Sequence, residues 1–230
     1  MKTIGLLGGM SWESTASYYK AINEQVGQFY GDLHSAKICL YSVNFAEIEQ
    51  LQHQGDWPKT AVILIEAAKS VEAGGADFLL ICTNTMHKVA DQIQQQLNIP
   101  LIHIADATAQ QLQADGITKV GLLGTGFTMS QDFYKGRLQD KFGIEVVVPD
   151  EAGQKMVHEV IYHQLCLGKI EDSARQEYLA QIALLKQSGA QAVILGCTEI
   201  GLLVKQQDTD VKLYDTTAIH AKAAVDLALG

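Results

Sequence analysis

No run in this 230-residue chain approaches the ~18 consecutive apolar residues that a membrane span needs. The opening Met1-Lys2-Thr3-Ile4-Gly5-Leu6 is basic, then apolar, but turns polar and glycine-rich too early for a secretory leader. Cysteine is scarce: four residues, at 39, 82, 166 and 197, none in a C-x-x-C pair. That spacing argues against a zinc site and for free thiols in a reducing cytoplasm. Basic side chains are few, 17 Lys and Arg against 26 Asp and Glu, a formal net charge of -9. Neither a nucleic-acid nor a membrane partner is expected, since nucleic-acid binders carry a basic face. Gly5, Gly8 and Gly9 match neither G-x-G-x-x-G nor G-x-x-x-x-G-K-[ST], which leaves a nucleotide loop poorly supported. Low-complexity stretches and obvious linkers are missing too.

What is present is ordinary globular composition, 47% hydrophobic and 19% charged, in a length that suits two domains of about 110 residues. Two stretches carry the chemistry. Ala192-Val193-Ile194-Leu195-Gly196 reads as a buried strand, followed by Cys197, Thr198 and Glu199. Half a chain earlier, Phe78-Leu79-Leu80-Ile81 runs into Cys82, Thr83, Asn84 and Thr85. A second pair repeats at nearly the same offset: Ile4-Gly5-Leu6-Leu7-Gly8 and Val120-Gly121-Leu122-Leu123-Gly124. Two segments at a common offset argue for duplication.

Strands and helices alternate along the chain. Strands are expected over 3–7, 36–43, 78–82, 101–104, 119–123, 144–148, 192–196 and 211–214, four per half. Helices are expected from Trp12, from Pro58 to Gly74, over 129–141, over 154–167, and from Asp172 or Ser173 to Gly189. This order gives an α/β fold. The expectation is two pseudosymmetric domains, each a four-stranded parallel sheet flanked by helices, with the active site in the cleft between them. The boundaries fall at 1–99 plus 209–230 for the first domain and 100–208 for the second, with the last strand and helix returning to the first.

In open α/β sheets, ligands bind beyond the C-terminal ends of the strands, where both cysteines fall. Equivalent groups on opposite sides of a bound molecule suit racemisation: one removes a proton from carbon, another delivers one to the other face. A thiol suits this role because it ionises near neutrality, more readily still at a helix N-terminus. The helix after Asn84-Thr85 would offer its N–H groups to a substrate carboxylate. The short hydroxyls of Ser11, Thr85 and Thr198 could bind the carboxylate, and Met10 could line the pocket or fill the core. Glu199 could assist Cys197 or simply start a helix. Asp106 and Asp215 sit at matching strand ends, as orienting groups or as caps. His87 could serve the site or cap its helix. Cys39 and Cys166 read as core.

The stretches Cys82-Thr83-Asn84-Thr85-Met86-His87 and Gly196-Cys197-Thr198-Glu199-Ile200-Gly201, with Gly5-Leu6-Leu7-Gly8-Gly9-Met10-Ser11-Trp12-Glu13-Ser14-Thr15, resemble the aspartate/glutamate racemase family over the whole chain. The resemblance implies an amino-acid racemase of the broad-specificity branch, acting on aspartate or glutamate by a two-base mechanism. It implies no cofactor and no metal, a homodimer and a small amino-acid substrate. The family's first motif is Cys-Asn-Thr, but here Thr83 directly precedes Asn84-Thr85 and Cys82 lies one position earlier. Neighbours on a strand point to opposite faces. Thr83 is therefore expected to face the substrate and Cys82 the core, unless the strand bulges and Cys82 takes the role. Cys197 is then the one strong base. By the family's geometry it serves the L-enantiomer, which makes the enzyme L-biased. The second carboxylate of a substrate falls to Gln52 and Gln164, where relatives carry polar or basic residues. The rival readings are a related isomerase or decarboxylase of small dicarboxylates, and a non-catalytic amino-acid binding module.

Overall fold

The computed structural model describes residues 1–31 and 33–230. Backbone contacts divide the chain into two compact units, Met1–Ile104 with His220–Gly230, and Ala105–Ile219. Each is built on a parallel sheet flanked by helices.

In the first unit, β1 (Ile4–Gly8) lies between β2 (Ile38–Ser42) and β3 (Phe78–Ile81), paired in parallel with both. β1 and β3 are buried throughout, which is why both read as continuous apolar runs. The two-residue period sorts β3 between two cores. Phe78, Leu80 and Cys82 join Ile4, Leu6, Tyr18, Ile22 and Val26 on one side. Leu79 and Ile81 join Leu64, Ala68 and Val71 on the other. Tyr18, Ile22 and Val26 come from α1 (Trp12–Tyr30), whose buried stripe recurs every four residues. The opposite core is lined by α3 (Trp57–Ala73), which is capped by Asp56, has proline in its first turn and ends at Gly74. α2 (Phe45–Gln54) lies on the α3 side, its Ile48 in the same core.

The second unit has four strands in the order β5-β4-β6-β7: β4 (Lys119–Gly124), β5 (Glu145–Val147), β6 (Ala192–Gly196) and β7 (Lys212–Asp215). Read as β5-β4-β6, its topology repeats β2-β1-β3, in keeping with the repeated sequence segments. Val157, Ile161, Leu165 and, from α9 (Asp172–Gln187), Tyr178, Ile182 and Leu185 pack on Leu123, Val193 and Leu195 as one core.

Two expectations are corrected. The first sheet has three strands, not four, and the strand expected over 101–104 in the second domain is instead a single bridge from Leu101 to Leu79 of the first sheet. The Leu79 N–H donates to the Pro100 carbonyl and the Ile102 N–H to the Leu79 carbonyl, both at 2.9 Å, but the bridge does not grow: Pro100 has no N–H to give on one side, and on the other the Ile104 N–H goes to His87 Nε2 at 3.2 Å as a helix begins. The last strand does not return to the first sheet. β7 pairs with β6 from Ala192↔Lys212 to Leu195↔Asp215, and the second unit extends to Ile219. Gln206 fixes it locally, accepting from the Leu213 N–H at 2.9 Å and donating to the Val211 carbonyl at 2.9 Å. The Thr216 hydroxyl closes the strand's far end onto the Leu195 carbonyl at 2.9 Å.

The helix expected over 129–141 is two, α6 (Gly126–Ser130) and α7 (Asp132–Phe142), divided by extended Gln131. The helix expected over 154–167 is α8 (Glu151–His163), which ends at Gln164 (φ -128°, ψ -67°) and passes into a 3-10 turn, Leu165–Leu167.

Candidate active site

β6 delivers its last residues into a tight turn. A Cβ on Gly196 would lie 2.7 Å from Leu122 Cδ1 and 2.9 Å from the Leu123 carbonyl, so only glycine lets β6 close against β4 here. Cys197, Thr198 and Glu199 then fill the turn before α10 (Ile200–Leu203). The three form one hydrogen-bonded group. The Cys197 thiol donates to Glu199 Oε2 at 3.0 Å, and the Thr198 hydroxyl donates to the same oxygen at 2.6 Å. The Glu199 carboxylate is buried, only 3% exposed, while Cys197 is half-buried. Burial first, then the Glu199 carboxylate and Cys166 beside it, push the Cys197 thiol well above its ordinary pKa. Buried Tyr178 is pushed up as well, by burial and then by Cys197, Cys166 and Glu199. At rest the strand end therefore holds a protonated thiol aimed at the Glu199 carboxylate.

Sequence reasoning did not bring Cys166 here. It packs on the second core as expected, but the 3-10 turn also carries its sulfur to 3.9 Å from Glu199 Oε1. A helical pattern read through position 167 hides that swing. Gln164, two residues earlier, keeps its Oε1 buried and without a hydrogen-bond partner.

In the first unit, the loops after β1 and β3 leave neighbouring strand ends, with Leu7 paired to Ile81. Gly9 has φ +93°, and a Cβ there would lie 2.2 Å from the Val43 carbonyl, so the loop carrying Met10 and Ser11 depends on it. Ser11 caps α1 by accepting from the Ser14 N–H at 3.3 Å. Cys82 is fully buried: its N–H donates to the Leu7 carbonyl at 2.9 Å, its carbonyl accepts from the Ser14 hydroxyl at 2.6 Å, and its sulfur sits in the α1-side core. Burial raises its thiol far above the ordinary range. Thr83 next to it is half-buried, whereas Asn84, Thr85, Met10 and Ser11 are buried. Gln52 is buried on α2.

The helix expected after Asn84-Thr85 is a 3-10 turn, Thr85–Val89, followed by the short α4 (Ala90–Gln94), so little helix dipole accumulates there. His87 is structural. Its Nδ1 donates to the Thr83 carbonyl at 2.8 Å while Nε2 accepts the Ile104 N–H at 3.2 Å. Burial and the neighbouring His103 and His220 hold it neutral. Asp106 lies in the first turn of α5 (Ile104–Ala114) and pairs with Arg137 at 2.5 Å and Lys141 at 2.7 Å. Burial pushes that carboxyl up, but the two cations outweigh it and hold it low. Asp215 caps α11 (Thr216–Leu229), accepting from the Thr217 N–H at 2.9 Å.

The pattern of the Asp/Glu/Hydantoin racemase family matches residues 7–224 of this chain. The chain belongs to that family. It is accordingly an isomerase of the racemase class. A candidate Asp/Glu racemase from Yersinia pestis shares 55% identity over 100% of both chains, with a TM-score of 0.93. An aspartate racemase homologue from Pyrococcus horikoshii OT3 shares 35% over 100% of both, with a TM-score of 0.86. The broad specificity amino-acid racemase RacX of Bacillus subtilis is 24% identical over 98% of each sequence. Among the described residues, no helix is long and apolar enough to cross a membrane.

Proposed function

We propose that this racemase interconverts the enantiomers of aspartate and glutamate, with Cys197 as the base toward the L-enantiomer and Thr83 serving the opposite face of Cα. The observation that carries the reading is the Cys197 thiol held 3.0 Å from a buried carboxylate at a strand end. Relatives described as Asp/Glu and aspartate racemases at 55% and 35% identity support the substrate class. The core position of Cys82 supports Thr83 as the group at the other strand end.

Cys197 first passes its proton to Glu199 Oε2, leaving a thiolate. The thiolate takes the α-proton of the L-amino acid: the Cα–H bond breaks, an S–H bond forms, and the electron pair spreads into the substrate carboxylate. On the other face, the Thr83 hydroxyl gives its proton to Cα as it receives one from water, and the hydroxide left behind takes the proton held on Glu199, which restores the carboxylate. Ser11, Asn84, Thr85 and Thr198 would bind the α-carboxylate beside the Met10 wall. Gln52 and Gln164 would give amide donors to the side-chain carboxylate. Both are uncharged, which favours a range wider than dicarboxylates, as the name of the B. subtilis relative suggests.

The test is chiral chromatography of aspartate and glutamate after incubation of each pure enantiomer with the protein. Both are expected to racemise, and Cys197→Ala is expected to lose about a hundred- to ten-thousandfold in rate. Enantiomers that stay pure with the wild-type protein would overturn the reading.

A further inference from the structure

The sheet holds the end of β3 through the Cys82 N–H, bonded to the Leu7 carbonyl at 2.9 Å. Beyond it, side chains take over the backbone. The Ser14 hydroxyl donates to the Cys82 carbonyl at 2.6 Å, and the His87 ring donates through Nδ1 to the Thr83 carbonyl at 2.8 Å. The tautomer of that ring follows from its other bond. Nε2 faces the Ile104 N–H at 3.2 Å, and a backbone N–H can only donate, so the proton sits on Nδ1. The ring is hemmed in, 3% exposed and 4.5 Å from His103 and 5.8 Å from His220. Its anchor is firm as well. Two residues before Ile104, the Ile102 N–H donates to the Leu79 carbonyl at 2.9 Å and the Ile102 carbonyl accepts from His220 Nε2 at 2.8 Å.

We infer that His87 is a positioning residue: from a ring anchored on Ile104 it grips the Thr83 carbonyl, fixes where the Thr83 hydroxyl stands, and so sets how often a substrate deprotonated by Cys197 is reprotonated on its other face. This rests on the reading of Thr83 and Cys197 as opposing groups. The physical reason is that the carbonyl and the hydroxyl of Thr83 hang from one Cα, so a peptide free to rotate carries the hydroxyl with it. A displacement of about 1 Å at a reacting group costs up to about a hundredfold in rate. His87 acts only through this backbone grip. Two variants divide its two bonds. H87N keeps a donor at the Nδ1 position for Thr83 and gives up the Ile104 N–H. H87Q keeps an acceptor at the Nε2 position for Ile104 and leaves the Thr83 carbonyl bare. Each loses one bond, and H87N, with the smaller side chain, also leaves the larger void. A role in stability alone therefore makes H87N no better an enzyme than H87Q.

The test follows L-aspartate in heavy water by proton NMR, comparing inversion with α-proton exchange in the full chain as wild type, H87N and H87Q. H87Q is expected to lower inversion per exchange about tenfold, while exchange itself, the work of Cys197, stays within about twofold of wild type. H87N is expected to keep the ratio within about threefold. Exchange and inversion that fall together in H87Q, or the same ratio in both variants, overturns the inference. Amide hydrogen exchange gives a second readout that needs no turnover. Residues 82–86 are expected to lose about tenfold in protection in H87Q and to keep it in H87N, with β1 unchanged in both. Loss in both variants or in neither overturns the inference. Should the variants fail to fold, nitrogen NMR of the histidine rings in the wild-type protein decides: a His87 proton on Nδ1 upholds the grip on Thr83, and one on Nε2 contradicts it. A wild-type chain that neither exchanges nor inverts aspartate, yet shows this protection pattern, overturns the proposed function and leaves the hold of His87 on Thr83 standing.

Discussion

At the scale of single residues, the two cysteines that look alike in sequence have different surroundings. Cys82 sits at the end of an alternation that buries Phe78, Leu80 and then its own sulfur among Ile4, Leu6 and Tyr18. Cys197 hydrogen-bonds a carboxylate. Two substitutions separate their roles. Cys82→Ser places a hydroxyl in that apolar core, which is expected to cost about 1–3 kcal/mol in denaturant unfolding while racemisation of the folded protein persists. Loss of racemisation with stability intact would return the catalytic role to Cys82. Thr83→Cys supplies a group that ionises near neutrality where a hydroxyl does not, and is expected to raise the racemisation rate at least about tenfold. An unchanged or lower rate would count against Thr83 facing the substrate. The contrast between Cys82 and Cys197 was legible in the sequence because a two-residue period carries through the end of β3. The approach of Cys166 to Glu199 was not, since it depends on where α8 stops, and a single unusual backbone angle pair at Gln164 leaves no periodic trace.

At the scale of elements, what the sequence conveyed well is what local chemistry decides. Asp56 and Pro58 announced the start of α3 and Gly74 its end. What it conveyed poorly is what distant partners decide. Leu101–Ile104 has a strand's composition, yet His87 Nε2 takes the Ile104 N–H that the next rung of the ladder would use. Val211–Tyr214 reads as a strand, but no feature of those residues tells which sheet accepts it; Gln206 and the β6 register do. Asp215, read equally as an orienting group and as a cap, accepts the Thr217 and Ala218 N–H groups at the head of α11. Asp215→Ala is therefore expected to cost about 1 kcal/mol, seen as a melting temperature a few degrees lower. A variant as stable as wild type would deny the cap.

For the whole molecule, two buried histidines, His87 and His220, make stability depend on acid. His220 accepts from the Tyr18 hydroxyl at 2.8 Å, and its Nε2 donates to the Ile102 carbonyl at 2.8 Å. Its ring packs 5.8 Å from His87, which in turn lies 4.5 Å from His103. Burial lowers the pKa of His220 to about 4, against 6.5 for a free side chain, and lowers that of His87 as well. Below about pH 6.5 the unfolded chain binds protons that the folded one refuses, so stability is complete at neutral pH and falls as the pH drops toward 4. His220 alone is expected to remove about 2 kcal/mol between pH 7 and pH 5, measured by denaturant unfolding, and His220→Gln should flatten that slope. A stability that holds or rises over this interval would contradict neutral buried rings. Racemisation is likewise measured on the whole chain. Its equilibrium constant is one, so kcat/KM is equal in the two directions and a one-sided site cannot show itself there. It shows in solvent exchange. The decisive measurement is proton NMR of L- and D-aspartate in heavy water, following α-proton loss against inversion. With Cys197 as the strong base and Thr83 opposite, L-aspartate should exchange its α-proton faster than it inverts, D-aspartate should exchange no faster than it inverts, and Cys197→Ala should abolish the L-side exchange. Equal exchange-to-inversion ratios for the two enantiomers, or L-side exchange that survives Cys197→Ala, would contradict the account.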